Sequence, residues 1–187
     1  SLNIDEFTAL PHGSRQPQTL HEGSILMLDD GCDVEGYTSD ITRTFVLGKA
    51  SDKMKSVFDL VHRAQSAALA AARPGVPTGE VDAAARKVIV DGGYGPGFTY
   101  FSHRVGHGIG MDMHEWPYLV KNDMYGYDLQ PRLNAGNLFS DEPGVYIRRL
   151  EDDMLITEAG AELLTPQSPS LEDPFGGMEP EPSSTKG

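Results

Sequence analysis

Two β-prone runs carry aspartates and flank one tight turn. Ile25-Leu26-Met27-Leu28 leads into Asp29, and a second run from Tyr37 to Leu47 is rich in Thr, Ile, Phe and Val. Between them, Asp33-Val34-Glu35-Gly36 has Asp and Gly at the first and fourth positions of a type I turn. Antiparallel partners have residue numbers that sum to a constant. A hairpin turning at Val34-Glu35 therefore sets Asp33 opposite Gly36 and Asp29 opposite Asp40, with Cβ atoms about 4.5–5.5 Å apart. Asp29 shares its strand face with Ile25 and Met27, so at least one carboxylate points toward an apolar layer where an unpaired charge is costly. A divalent cation, or a proton shared between the two acids, relieves that cost. For an isolated aspartate, exposure beside the turn is the ordinary state.

The rest of the chain reads as α+β, strands then helices then strands. Residues 1 to 23 predict a strand and a loop. Ser51 is placed to cap a helix over 52–72, with Met54, Val57, Phe58, Val61 and Ala68 as its apolar stripe and Pro74-Gly75 ending it. Thr78 is placed to cap a second helix to about Val90, stopped by Gly92-Gly93. Short strands are expected around Leu138-Phe139, Val145 to Ile147 and Met154 to Ile156. After Thr165 the composition turns to Pro, Ser, Glu and Gly. The chain thus divides into a domain over 1–165 and a mobile acidic tail over 166–187.

Half of the six histidines fall in residues 103–117, where Gly106, Gly108 and Gly110 alternate around His107. Little side-chain bulk blocks close approach of backbone or ligand to that imidazole, which favours a metal-ligand role for His107. His103 serves equally well as a core or surface histidine. Two further acidic segments are Phe139-Ser-Asp-Glu142-Pro143-Gly144 and Leu150-Glu151-Asp152-Asp153. Singly, they read as a turn and a solvated loop. Together with the hairpin they supply four acids and one imidazole, an oxygen-rich set suited to paired Mn, Co, Fe or Zn ions and without the sulfur of structural zinc sites.

Composition excludes several classes. The net charge of -13 would repel nucleic-acid phosphates and anionic lipid, and no apolar run approaches the ~20 residues of a membrane span. A single cysteine, Cys32, rules out an internal disulfide framework. The chain opens on Ser1 with no signal-peptide pattern.

Several blocks, in this order, resemble metallopeptidase family M24, the "pita-bread" peptidases that include Xaa-Pro dipeptidase (prolidase), aminopeptidase P and methionine aminopeptidase. The blocks are Ala9-Leu-Pro-His-Gly13, Leu28-Asp-Asp-Gly31 with Gly36-Tyr-Thr-Ser-Asp-Ile-Thr-Arg-Thr-Phe45, Gly106-His-Gly-Ile-Gly110 with His114-Glu-Trp-Pro117, Glu142-Pro-Gly-Val-Tyr-Ile147, and Arg149-Leu-Glu-Asp-Asp153. The resemblance implies a pita-bread fold lacking its N-terminal helices. It implies two divalent ions, manganese first with Co, Zn or Fe as alternatives, held by Asp29, Asp40, His107, Glu142 and Glu151. His12, His114 and Glu142 take catalytic roles, and His12, His103, His114 and Arg149 contact substrate.

Ser39-Asp-Ile-Thr-Arg-Thr44, His114-Glu-Trp-Pro117 and Glu142-Pro-Gly-Val-Tyr146 are similar to the proline-specific branch. The implied reaction is cleavage of the Xaa-Pro bond, in dipeptides or at peptide N-termini, by a metal-bridging hydroxide. The alternatives are a methionine aminopeptidase-like exopeptidase and a non-catalytic peptide-binding module. Proline-containing peptides are the expected partners, with neither nucleic acid nor membrane, and family analogy adds a homodimer and a cytoplasmic setting. Two departures stand out: the family's domain is longer on its N-terminal side, and the loop after Tyr146-Ile147 is shorter here.

Overall fold

A computed structural model describes residues 1–10, 14–121, 130–145 and 148–177. In chain order the strands are β1 (Leu2–Ile4), β2 (Ile25–Asp30), β3 (Asp33–Val34), β4 (Tyr37–Thr38) and β5 (Ile41–Val46), with a 3-10 turn at Asp5–Ala9. Helices α1 (Asp52–Ala71) and α2 (Thr78–Asp91) follow. Then come β6 (Gly106–Gly108), β7 (Glu115–Leu119), β8 (Leu138–Asp141), β9 (Gly144–Val145), β10 (Arg148–Arg149), β11 (Asp152–Thr157) and β12 (Gly160–Leu163). One sheet has the order β1-β2-β5 and a larger one β12-β11-β8-β6-β7.

The helices form where the apolar periodicity places them. The Ser51 hydroxyl accepts the Met54 N–H at 3.2 Å, and α1 buries Val57, Phe58, Val61, Ala64 and Ala68 on one face. That face packs with Val81, Ala85 and Ile89 of α2 against Phe139, Met154 and Ile156 of the larger sheet. Thr78 is the first helical residue rather than the cap, a position held by Pro77. Thr78 is drawn inward, buried, with its N–H donating to the Pro131 carbonyl at 2.9 Å.

The hairpin turns one position later than expected. Glu35 and Gly36 both take positive φ, 54° and 84°, as a two-residue I′ loop requires, because that turn matches the twist of its strands. The register therefore pairs Val34 with Tyr37 and Asp29 with Thr42, not with Asp40. Asp40 and Thr42 are two residues apart and share a face, so Asp40 becomes a diagonal neighbour of Asp29 instead of facing it.

Composition alone drew a tail from residue 166, but the structure packs the start of that segment. Leu171 and Ser168 are buried, Val46 donates its N–H to the Leu171 carbonyl at 3.0 Å, and Arg43 donates to the Pro166 carbonyl at 2.8 Å. Polar composition had hidden one apolar anchor. Among the described residues, no helix is long and apolar enough to cross a membrane.

Candidate metal centre

Five side chains from separate strands and their flanks meet in one cavity of about 290 Å³ where the two sheets come together. Asp29 sits near the end of β2, Asp40 just before β5, His107 in the middle of β6, Glu142 immediately after β8, and Glu151 between β10 and β11. All five line the cavity, together with His103, Arg104, His114 and Arg149. The sheets are joined there by a backbone bridge: Thr42 N–H donates to Glu151 O at 3.3 Å, and Glu151 N–H to Thr42 O at 3.2 Å. The Thr42 hydroxyl also donates to Glu151 Oε2 at 2.6 Å.

Close backbone approach sets the position of His107. A Cβ on Gly106 would lie 2.0 Å from the Ser140 carbonyl oxygen, and one on Gly108 2.7 Å from that of Glu115. Glycine lets β6 nest between β7 and β8. Ser140 then ties two of the site residues together, its hydroxyl accepting from His107 N–H at 3.0 Å and donating to Glu142 Oε1 at 3.2 Å.

The protonation pattern fits a cation. His107 Nδ1 lies 3.0 Å from the Gly108 carbonyl, an acceptor only, so Nδ1 carries the ring proton. Burial drops the imidazole pKa to about 4, so the ring is neutral and Nε2 presents a lone pair. That lone pair faces Glu142 Oε1 at 3.4 Å and Asp40 Oδ2 at 3.7 Å, an arrangement satisfied by a cation or, without one, by a carboxyl proton. Ligand atoms of Asp40, His107 and Glu151 lie within 4.8 Å of one another, near enough for one ion with bonds of about 2.0–2.2 Å after small side-chain shifts. A carbonyl-anchored imidazole with a bare second nitrogen is the usual arrangement of a ligating histidine.

The carboxylates are crowded and undercompensated. Burial, then the charges of Glu151 and Asp29, push Asp40 up to about 8. Burial raises Glu151 to about 7 against the opposing pull of Arg149, and it lifts Glu142 well above the usual range. Burial works against the charge on Arg149, but Glu151, Glu142 and Asp29 outweigh it and hold the guanidinium firmly protonated. Arg149 pairs with Asp29, with Glu142 at 3.3 Å and with Glu151 at 3.5 Å. One guanidinium therefore serves three acids, with Asp40 outside its direct contacts.

The other sequence-nominated residues have definite places. The His114 ring centroid stands 4.1 Å from that of His107. His103 is half-buried, its pKa lowered to about 4 by desolvation, with Nδ1 2.7 Å from the Arg104 carbonyl. With Arg149 it also lines a smaller cavity of about 150 Å³ whose walls include Met27, Tyr100 and Val145. His12 lies outside the described residues, as do Tyr146 and Ile147 of the strand expected over Val145 to Ile147. Thr42, Ser140 and Arg104 were not singled out from sequence. Thr42 alone had a readable signal, a polar residue two positions from Asp40 on the same strand face.

Comparison with known proteins decides the family. The model of metallopeptidase family M24 matches residues 2–158. The chain belongs to that family. This M24 chain is 39% identical over 163 residues to the Xaa-Pro dipeptidase of Pyrococcus furiosus, covering 84% of this chain and 44% of that protein. It is 40% identical over 169 residues to the Xaa-Pro dipeptidase of Lactobacillus delbrueckii subsp. lactis, covering 87% and 43%. Among solved structures, dipeptidase PepE from Mycobacterium ulcerans superposes with a TM-score of 0.81 at 39% identity, over 91% of this chain and 45% of that one. The prolidase from Pyrococcus furiosus gives 0.77 at 38% identity, over 87% and 47%. The fold is thus the α+β pita-bread fold, and the chain spans less than half the length of the relatives it matches.

The raised carboxyl pKa values predict how the metal-free protein responds to pH. With folded values of about 8 for Asp40 and about 7 for Glu151, against ordinary values of 3.8 and 4.5, the native state holds more protons than the unfolded one in that window. Stability from these groups therefore falls as pH rises from about 4 to about 8. Urea midpoints measured with EDTA from pH 5 to 9 should decline. Manganese should flatten the decline, since ion binding keeps the same groups deprotonated without penalty. A midpoint that rises with pH in EDTA would contradict the electrostatic picture.

Proposed function

We propose that this chain carries the centre of a divalent-metal exopeptidase that hydrolyses the bond before proline. The observation that carries the reading is the bare Nε2 of His107 set against the oxygens of Asp40 and Glu142. The names of the 38–40% identical relatives supply the substrate class. In this proposal Asp29, Asp40, His107, Glu142 and Glu151 hold two ions, manganese first among Mn, Co, Zn and Fe. When bound, such ions polarise the scissile carbonyl and bring the pKa of a water toward ~7.

The chain's own groups then divide the remaining work. Glu142, buried and hydrogen-bonded by Ser140 and Arg149, is held in place to accept the proton of the attacking water. His114, its ring tilted against that of His107 at the cavity wall, is assigned to the leaving proline nitrogen or to the developing oxyanion, with His12 as its counterpart. Arg149 orients Glu142 and Glu151. His103 and the Met27, Tyr100 and Val145 walls of the smaller cavity provide a surface for an uncharged substrate side chain.

The test is hydrolysis of Ala-Pro, Ala-Pro-Ala and Met-Ala by protein whose metal content is measured on the same sample. Cleavage before proline that depends on the metal is expected, with Met-Ala at least ~10-fold poorer, as a pocket fitted to one side chain discriminates. A metal-loaded protein inert toward both proline peptides overturns the reading.

A further inference from the structure

We propose that Arg86 of α2, which lines neither cavity of the site, is a positioning residue for substrate selectivity: it clamps the segment 97–105, whose side chains wall the smaller cavity. This rests on the exopeptidase reading above and adds what holds the pocket for a substrate side chain in shape. Between the end of α2 at Asp91 and the start of β6 at Gly106 the chain forms neither helix nor strand. That stretch delivers Tyr100, Ser102 and His103 to the cavity of about 150 Å³, and His103 and Arg104 to the cavity of about 290 Å³. Without a ladder or a helix, its backbone carbonyls need partners elsewhere.

Arg86 supplies three of them. Its Nη1 donates to Phe101 O at 2.6 Å and to Gly97 O at 3.3 Å, and its Nη2 donates to His103 O at 2.9 Å. Nε and Nη2 also reach the two oxygens of Asp82, one turn earlier on α2, at 2.8 and 2.9 Å. All five guanidinium hydrogens are thereby used. Asp82 closes the clamp at its other end, its Oδ1 accepting the Val105 N–H at 3.0 Å just before β6. This fork-to-fork pair is little exposed to water, which strengthens it. Rings of the same segment pack on the guanidinium, its carbon standing 3.8 Å from the Phe98 centroid and 4.2 Å from that of Phe101. Phe101 is fully buried, and its ring meets that of His103 edge-on at 5.0 Å between centroids. A displaced Phe101 therefore carries His103 with it.

The proposed metal ligands do not hang on this clamp. Asp29, Asp40, Glu142 and Glu151 stand on strands or at their flanks, with the Thr42–Glu151 bridge between the sheets, and His107 is seated by Ser140 and its glycine neighbours. Loosening Arg86 thus moves a wall that meets the substrate and leaves the ions where they are. Lysine is the informative replacement. It keeps the positive charge but brings three donors instead of five and no planar fork, so it cannot hold Asp82 and three carbonyls together.

The test compares Arg86→Lys with wild type by kinetics, metal binding and NMR. KM for Ala-Pro should rise about 10-fold with kcat within about 3-fold, the pattern of lost substrate binding. The kcat/KM ratio between Ala-Pro and Phe-Pro should move toward unity, since a loosened wall discriminates less. Calorimetric manganese affinity should stay within about 3-fold of wild type, whereas a general loss of structure would lower it as well. In the metal-free protein, burial holds the His103 pKa at about 4, and Arg86→Lys should bring its NMR titration toward the ordinary 6.5. The charge at residue 86 is conserved, so that rise reports a moved segment. If Arg86→Lys does not fold, the double variant Asp82→Asn, Arg86→Gln leaves no unpaired buried charge, and the same rise in KM with manganese affinity retained is expected. An unchanged KM, an unchanged His103 titration, or a manganese affinity that falls as far as KM rises overturns the proposal. If wild type cleaves no peptide but the His103 titration follows Arg86, the reaction is wrong and the clamp stands. Cleavage of Ala-Pro with KM and His103 unmoved by the substitution leaves the reaction standing and removes the clamp.

Discussion

His107→Ala and Asp40→Asn are each expected to lower Ala-Pro hydrolysis by about 10³-fold or more, some 4 kcal/mol of transition-state stabilisation, while leaving the chain folded. Each removes a ligand atom from the group in which Asp40, His107 and Glu151 approach within 4.8 Å. Bound metal should fall in the same preparations. Thr42→Val gives the graded comparison: it deletes the hydroxyl that donates to Glu151 Oε2 at 2.6 Å and accepts from Arg149 Nε at 3.2 Å and Nη2 at 3.0 Å, leaving every ligand atom in place. Loss of such a supporting bond costs about 10–100-fold in metal affinity. Activity and metal content measured together, with circular dichroism as the folding control, check the order. If His107→Ala retains both metal and turnover, the proposed ligand set is wrong.

Gly106→Ala is expected to be far more damaging to the fold than its one added methyl suggests. The new Cβ would meet the Ser140 carbonyl oxygen at 2.0 Å and a Leu119 methyl at 3.1 Å. The first of these is backbone in a paired strand and cannot rotate away. Ordinary overpacking costs about 1–3 kcal/mol, and a backbone clash of this depth belongs at or above the upper end. Parting β6 from β8 also separates His107 from Glu142, so metal affinity should fall with stability. Urea denaturation of the metal-free and manganese-loaded forms measures both. A variant within about 1 kcal/mol of wild type, with unchanged affinity, would show that the strands do not approach as closely as described.

The local readings that succeeded have local causes. The Ser51 cap and the Val57, Phe58, Val61, Ala68 stripe of α1 follow from side-chain chemistry and a 3.6-residue period, both written in consecutive residues. The hairpin was legible, and its register nearly so. An Asp-x-x-Gly type I turn and a Glu35-Gly36 I′ turn compete for the same residues, and only the twist of the paired strands favours the latter. That shift of two positions preserved the face shared by Asp29 and Asp40. A shift of one would have put them on opposite sides.

What could not be read was long-range. Nothing in the Arg43 segment announces that this arginine is buried against Asp152, 109 residues later, or that Leu171 anchors a stretch whose composition is that of a tail. The seat of Arg104 over the Tyr118 ring was hidden for the same reason. The gathering of Asp29, Asp40, His107, Glu142 and Glu151 was foreseen through family resemblance and the chemistry of the donor set. Their approach in space rests on the Thr42–Glu151 bridge and the nesting of β6, which no single segment encodes.

Calorimetric titration of manganese into metal-free protein at pH 7.5, alongside the Asp40→Asn, His107→Ala double variant, tests the central claim most directly. The account predicts saturable binding of up to two ions by the wild-type chain, with proton release, and loss of the tight phase in the variant. A wild-type chain that takes up no more manganese than the variant would contradict it.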